Sequence, residues 1–523
     1  MTAGEAGKRI ASNEAAAEAV GLRPSRLCAA VLAVIVGAFV SVRVPLMYRL
    51  PGGQDEDYYA VPGSTILRDG IPRIPYVPSR DPNGVFYQAD HVLFALPPAY
   101  FYWQAAVYWI AGPSYGSGRL ASALAGAAAI GLVFLLGRRI YGNDVVGLVA
   151  AGLYSVSRLF YLYAATMARP DMLCGAIGLA AILCMHHWHT SRKRRWLATA
   201  GALAGLGLLT HPFAGVYCVL IGVWTIGGAV GMSYPGPPRA IIRRCAENFT
   251  LLVLCAAGVF ALWLPLIVLD PDAFWMQFGN NVLRRSPGGL VARGLSPISG
   301  LAVQARLFLE LNGVRQTALL ALGLIIATLI DFRRSRMAVV LPWSAAALLV
   351  LLQGEHPAKG YWCFPGALLY LCVGRVIVAA ESLARQSLGM QRIVPIAFAG
   401  LLGAVMLPGS GVRTFVQHLR HWDDPDYNHS AFVQDLLDRT PRDVKYLVDV
   451  SNVFDFYLAG RDVTLALNIS PYFEAVGLRY DLMIVGPTGL RQKLPEQLDG
   501  VFLWSGGLAD SDFACYAEVY RSN

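Results

Sequence analysis

The sequence predicts an α-helical polytopic membrane protein that carries a small C-terminal α/β domain outside the bilayer. Three observations lead there. Apolar types make up 55% of the 523 residues and charged types only 15%, against about 25% charged in soluble domains, and the mean hydropathy is +0.48. Apolar residues gather in runs long enough to cross a hydrocarbon core of about 30 Å. Basic residues gather in short clusters between those runs. A soluble chain of this length could not clothe itself with so little charge, so cytosolic, coiled-coil and disordered classes fall away. The formal charge of +9 is accounted for by topology rather than by nucleic acid.

The runs number about eleven: Leu27–Met47, Leu120–Leu136, Val145–Tyr163, Met172–His187, Leu197–Thr210, Phe213–Ala229, Leu251–Leu269, Ala318–Ile330, Val339–Leu352, Phe364–Ala380 and Ile393–Leu407. The segment from Met172 to the His211-Pro212 turn is the hardest to divide. Arg23 and Arg26 precede the first run, which is followed by no signal-peptidase motif. Arg138/Arg139, Arg192-Lys193-Arg194-Arg195, Arg239/Arg243/Arg244, Arg333/Arg334/Arg336 and Arg385/Arg392 fall at every second junction. The positive-inside bias makes those junctions cytoplasmic. The expected organisation is a loose cytoplasmic tail over 1–26, a transmembrane domain over 27–407 and an extracytoplasmic domain over 408–523. Two long outer loops, 48–119 and 270–317, interrupt the transmembrane part.

The tail changes composition, with short apolar runs at 445–450, 462–467 and 481–485 and a helical stretch at Ser430–Asp438 capped by Ser430. Nine cysteines are scattered with no CxxC pair, which implies packing rather than a disulfide frame or a zinc site. No internal repeat is visible, which weakens an inverted-repeat transporter.

Polar chemistry concentrates outside. Asp55-Glu56-Asp57 follow the first run and precede Tyr58-Tyr59. Acids at a low-dielectric wall can act as a general base or gather a divalent metal; the plainer reading is a solvated acidic turn. Arg169-Pro170-Asp171 stand at the mouth of a span on the same side, either as a helix-capping pair or as a second acidic site. Arg119, Arg284, Arg285, His356, Lys359 and Tyr361 add basic and aromatic groups to this face, against the orientation bias. Arginine forks and lysine suit phosphate oxygens, while Arg119 also fits an interfacial anchor.

In this order the motifs resemble the GT-C superfamily of membrane glycosyltransferases, in particular aminoarabinose transferases and protein O-mannosyltransferases. Asp55-Glu56 with Tyr59-Ala60 and a helix ending at Gly70, Pro97-Pro98 before Tyr102-Trp103, Gly118-Arg119-Leu120, Gly137-Arg138-Arg139, Arg169-Pro170-Asp171, Thr210-His211-Pro212, Trp263-Leu264-Pro265 and Lys359-Gly360-Tyr361 match the pattern between about Leu27 and Ala380. The resemblance implies a polyprenyl-phosphate-linked sugar donor, a lipid, glycan or protein acceptor, and inverting transfer on the outer face of a bacterial plasma membrane. It implies Asp55 as the base, Glu56 as its helper, Asp171 as a second acidic contact to acceptor or metal, and Arg119, Arg169, Arg284, Arg285, His356, Lys359 and Tyr361 at the substrate. Asp57 is expected to be local and structural. Leu96 replaces the lysine usual before the prolines of aminoarabinose transferases, so lipid A modification is not carried over; His211 stands where lysine is frequent. The rival readings are a lipid-linked-glycan flippase or transporter and a non-catalytic GT-C-like binding protein.

Overall fold

The computed structural model describes residues 25–53, 55–233, 236–283, 297–333, 336–355, 360–388, 393–466 and 479–523. Seven of its helical segments are long and apolar enough to cross a membrane. Helix Arg26–Met47 is one, begun by Ser25, whose hydroxyl accepts from the Cys28 N–H at 3.2 Å. Helix Tyr115–Tyr141 is another, begun by Ser114 and stopped by Gly142 at φ 63°. Apolar side chains of these segments stand exposed: Leu27 of Arg26–Met47 is 73% exposed and Leu329 of Pro297–Asp331 75%.

The expected span Val145–Tyr163 is not one helix. It is Asp144–Ser155 followed by Arg158–Ala165, bent by 65°, and counting the pair makes an eighth crossing. Ser157 causes the break: its hydroxyl donates to the Tyr154 carbonyl at 2.8 Å and accepts the Phe160 N–H at 3.2 Å, ending one helix and starting the next. Met337–Gln353 and Ile396–Met406 are shorter apolar helices, and the segment after Lys193 is the 15-residue helix Arg194–Leu208. All expected spans therefore coincide with helix, but length and composition do not by themselves reach eleven crossings. The span expected from Ala318 is the second half of Pro297–Asp331, kinked at Gly313.

Helix Arg194–Leu208 is held by close approach. A Cβ at Gly201 would lie 2.4 Å from the Leu252 carbonyl oxygen, and one at Gly205 would lie 2.2 Å from that of Ala256. This is a small-residue contact at four-residue spacing, which lets two backbones meet where apolar burial gives no drive against lipid.

The C-terminal segment folds as the α/β unit expected, with more strands than expected. Strands β1 (Lys445–Val448), β2 (Asp462–Leu465), β3 (Leu482–Val485), β4 (Val501–Gly507) and β5 (Tyr516–Arg521) form one sheet in the order β2-β1-β3-β5-β4. β1 runs parallel to β2 and β3, with Tyr446 opposite both Val463 and Leu482; β5 is antiparallel to β3 and β4. The helix expected from Ser430 is His429–Arg439, with Asn428 at its cap position and no side-chain capping bond.

This unit does not stand apart. Tyr59, Tyr76, Phe86, Tyr100 and Tyr115, between the first apolar helix and the start of Tyr115–Tyr141, pack in one core with Phe432, Leu436, Tyr446, Val448 and Phe454. The Leu465 N–H donates to the Tyr76 carbonyl at 3.0 Å, tying the edge strand β2 to the segment that follows the first apolar helix. A separate apolar core fills the helical bundle.

Candidate active site

The acids sit where the first apolar helix leaves the bundle. After Met47 the chain turns through Pro51, Gly52 and Gly53 and enters the one-turn helix Glu56–Tyr59, with Asp55 at its cap position in the left-handed region, φ 74°. A non-glycine residue rarely stays there unless its surroundings hold it. A second helix, Val61–Asp69, ends at Gly70, φ 77°.

Glu56 is completely buried and completely satisfied. Its Oε1 accepts from Arg119 Nε at 2.8 Å and from the Ala168 N–H at 2.7 Å; its Oε2 accepts from Arg119 Nη2 at 2.5 Å and from the Gly53 N–H at 2.8 Å. Arg119 is equally enclosed. Its remaining donors go to the carbonyls of Met47 at 2.9 Å, Leu50 at 2.8 Å and Pro51 at 2.6 Å. A guanidinium has five N–H donors, and all are occupied. Both side chains are 0% exposed, so the pair welds the end of the first helix, the acid loop, the helix Tyr115–Tyr141 and the 166–170 loop together.

One residue away the arrangement is open. Asp55 is the exposed member of the group, at 24%, against none for Glu56 and Asp171. One of its carboxylate oxygens accepts from the Tyr58 hydroxyl and the other from Arg169 Nη1. Arg169 Nε donates to Asp171 Oδ2 at 2.9 Å, so Arg169 is the cation between the two acids. Burial opposes its charge, but Asp171 and Asp55 outweigh that and keep the guanidinium protonated. Its guanidinium lies 5.4 Å from the Tyr59 ring centre and 5.5 Å from that of Tyr163, a cation–π setting. The backbone is pinned as well: the Arg169 N–H donates to Ser122 Oγ at 3.1 Å, and Ser122 Oγ donates to the Arg169 carbonyl at 3.0 Å. Asp171 Oδ1 is buried without a hydrogen-bond partner among the described residues.

Asp57 points the other way. Both its carboxylate oxygens are buried without a partner among the described residues. Burial first, then the charge of Asp55, pushes its carboxyl well above the usual carboxylate range.

The structure thus brings Asp55, Glu56, Arg119, Arg169 and Asp171 together from three separate segments. Tyr361 is placed in an aromatic cluster, stacked on Phe213 with ring centres 4.0 Å apart and 5.3 Å from the His211 ring. Arg284, Arg285, His356 and Lys359 lie outside the described residues. Among the described residues, no group of three or more His, Cys, Asp or Glu is arranged to hold a metal ion. Sequence reasoning missed Tyr58 and the Ala168 N–H as contacts to the acids; the adjacency of Tyr58 to Asp55 was the available signal for the first. It also missed the C-terminal unit at the back of the loop. There the Gly52 N–H donates to the Ser451 carbonyl at 3.1 Å, and the Tyr115 hydroxyl to the Val450 carbonyl at 2.9 Å.

The fold and part of the sequence have relatives. The profile of the dolichyl-phosphate-mannose-protein mannosyltransferase family matches residues 95–231. A search of curated protein sequences finds no match. ArnT from Cupriavidus metallidurans, solved bound to undecaprenyl phosphate, superposes with a TM-score of 0.57 at 16% identity, covering 94% of this chain and 97% of that one. The same protein in its apo state gives 0.54 at 16% identity, over 93% and 97%. The chain has the polytopic GT-C fold of the membrane glycosyltransferases.

Proposed function

We propose that this protein transfers a sugar from a polyprenyl-phosphate-linked donor to an acceptor hydroxyl on the outer face of the membrane. The observation that carries the reading is the contrast in reach among the acids: Asp55 is open to a substrate while Glu56, Asp57 and Asp171 are closed. Asp55 takes the proton of the acceptor hydroxyl as that oxygen attacks the anomeric carbon. The bond from that carbon to the phosphate oxygen breaks, the configuration inverts, and polyprenyl phosphate leaves. Phosphate is already a good leaving group, so the site needs one base and cations rather than a strong acid.

Within this reading Asp171, closed to the acceptor, holds Arg169 in place, and Arg169 orients Asp55. Glu56 is a positioning residue rather than a helper in proton transfer. Arg119, with no donor left, holds Glu56 instead of meeting the lipid phosphate. That role passes to Arg284, Arg285 and Lys359, with His356 and Tyr361 lining the donor, as the resemblance implies. A divalent metal at Asp55 and Asp171 would have to displace the Arg169 guanidinium that already bridges them, so no step of this reading is routed through one. The undecaprenyl phosphate bound by ArnT, a protein of the same fold, supports the donor class. A transporter would keep its ionisable groups mid-span; these stand at helix ends.

The test is release of polyprenyl phosphate from labelled polyprenyl-phosphate sugars, in membranes holding the native protein or Asp55→Asn. Release by the native protein and none by the variant is expected. Equal release from both sinks the assignment of the base, and glycan movement across the membrane without release sinks the transferase.

A further inference from the structure

The helix Asp171–Ser191 begins in the acid site and runs 21 residues, about 30 Å at 1.5 Å per residue, so its far end lies at the opposite face of the bundle. A cavity of about 650 Å³ opens there, lined by Trp188, Arg192, Arg194, Arg243, Arg244 and Glu247 among others. Three helices make it: the end of Asp171–Ser191, the start of Arg194–Leu208 and the first turns of Pro238–Phe260.

Its chemistry is graded from floor to mouth. Trp188 is 1% exposed and Asn248, which also lines the cavity, is 5% exposed. The four arginines stand exposed at the mouth. Among the described residues Glu247 is the single acid lining it; it meets Arg194 at 3.0 Å and Arg243 at 3.6 Å. Among the described residues that line it, four guanidinium groups stand with one carboxylate, so the lining is predominantly basic. Orientation bias explains basic residues on a membrane face, but it calls for no cavity with a buried aromatic and amide floor beneath them. Basic pockets between transmembrane helices are suited to phosphate-bearing headgroups, and guanidinium forks bind phosphate oxygens through two parallel hydrogen bonds.

We propose that this cavity is a binding site for a phosphate group, seated at the depth of the lipid headgroups and separate from the acid site. It holds whether or not the transfer reaction assigned above is correct, because it uses none of those residues. The phosphate can belong to an anionic lipid or to a soluble anion, and the test separates the two.

Purified protein in nanodiscs of mixed phosphatidylglycerol and phosphatidylcholine is compared with Arg243→Gln/Arg244→Gln by native mass spectrometry of retained lipid. Inorganic phosphate is titrated in parallel in detergent. The control is Arg195→Gln/Arg239→Gln, which removes the same charge from the same face outside the cavity. Native protein and control are expected to retain phosphatidylglycerol over phosphatidylcholine, and the cavity variant to lose at least about tenfold of that preference. Tight binding of inorganic phosphate, lost in the cavity variant without any phosphatidylglycerol preference, supports the site and makes its ligand soluble. Equal loss in cavity variant and control, or no preference and no phosphate binding in the native protein, overturns it. All four substituted arginines are exposed, and unchanged thermal unfolding verifies that the variants fold.

Discussion

Two carboxylate–arginine systems stand one residue apart in this protein, and they are finished in opposite ways. Glu56 and Arg119 are fully buried and saturate each other's hydrogen-bonding capacity, with backbone groups taking what is left. Asp55, Arg169 and Asp171 share one guanidinium between two acids, leave one buried oxygen without a partner among the described residues, and keep Asp55 open. The first system can only hold a shape. The second can still bind and move a proton. Buried ion pairs contribute little net stability when complete but cost much when broken, so the two should fail differently.

The largest effect expected is on turnover, from Asp55→Asn. Loss of a positioned general base costs about 10²–10⁴-fold in rate, here with thermal unfolding almost unchanged because Asp55 is partly solvated. Next is Arg119→Met, which strands the Glu56 carboxylate in a dry site. Its cost is about 3–5 kcal/mol of stability, read as lost monodisperse protein on gel filtration before any rate can be measured. If Arg119→Met instead folds and merely weakens donor binding, Arg119 meets the lipid phosphate after all and the contrast between the two systems collapses.

This contrast was half legible in the sequence. Asp55, Glu56, Asp171, Arg119 and Arg169 could be named because ionisable residues at the ends of apolar runs are conspicuous. Which acid would be sealed could not be named, because Arg119 is saturated by the carbonyls of Met47, Leu50 and Pro51, some seventy residues earlier in the chain. The break at Ser157 hid inside an unbroken apolar run for a related reason: a hydroxyl that caps one helix and ends another leaves hydropathy unchanged. β1, β2 and β3 were visible as short apolar runs. β4 went unread although Val501-Phe502-Leu503-Trp504 is an equally apolar run; it lacks the alternation of a half-buried strand, and Val501, Phe502 and Leu503 are all exposed.

The C-terminal unit extends the comparison to pH. His429 is buried against Asp455, Nε2 to Oδ2 at 2.8 Å. Burial would lower its pKa, but the Asp455 charge and hydrogen bond outweigh that and raise it to about 9 from 6.5. The folded value exceeds the unfolded one, so the stabilisation is fully present below pH 6.5 and is lost as pH rises through about 9. A shift of this size corresponds to about 3 kcal/mol. Thermal unfolding of the native protein is therefore expected to weaken between pH 6.5 and 9 beyond any change in His429→Asn; parallel pH profiles for the two would remove the His429–Asp455 pair as the cause.

A change in stability no larger than that at Arg119 tests how the open system is kept open. Gly52 lies against the end of β1, and a Cβ there would fall 2.6 Å from Tyr115 Cζ, 2.6 Å from the Val450 carbonyl oxygen and 2.9 Å from that of Ser451. These are not flexible side-chain tips: two are backbone, and the Tyr115 ring is fixed by its own bond to Val450. Gly52→Ala must therefore push the acid loop off the C-terminal sheet, at about 1–3 kcal/mol for overpacking. Gly53→Ala is the matched control, since its Cβ would meet only Glu56 Oε2, at 3.3 Å. A loop displaced by even an ångström misplaces Asp55, and misplacement of this kind costs on the order of 10²-fold in rate. The expected result is turnover lost in Gly52→Ala well beyond Gly53→Ala, together with faster amide exchange at Ser451 and Val453. Full turnover in Gly52→Ala would mean that the C-terminal unit merely rests on the acid loop, whereas the expected loss makes it part of what aims Asp55.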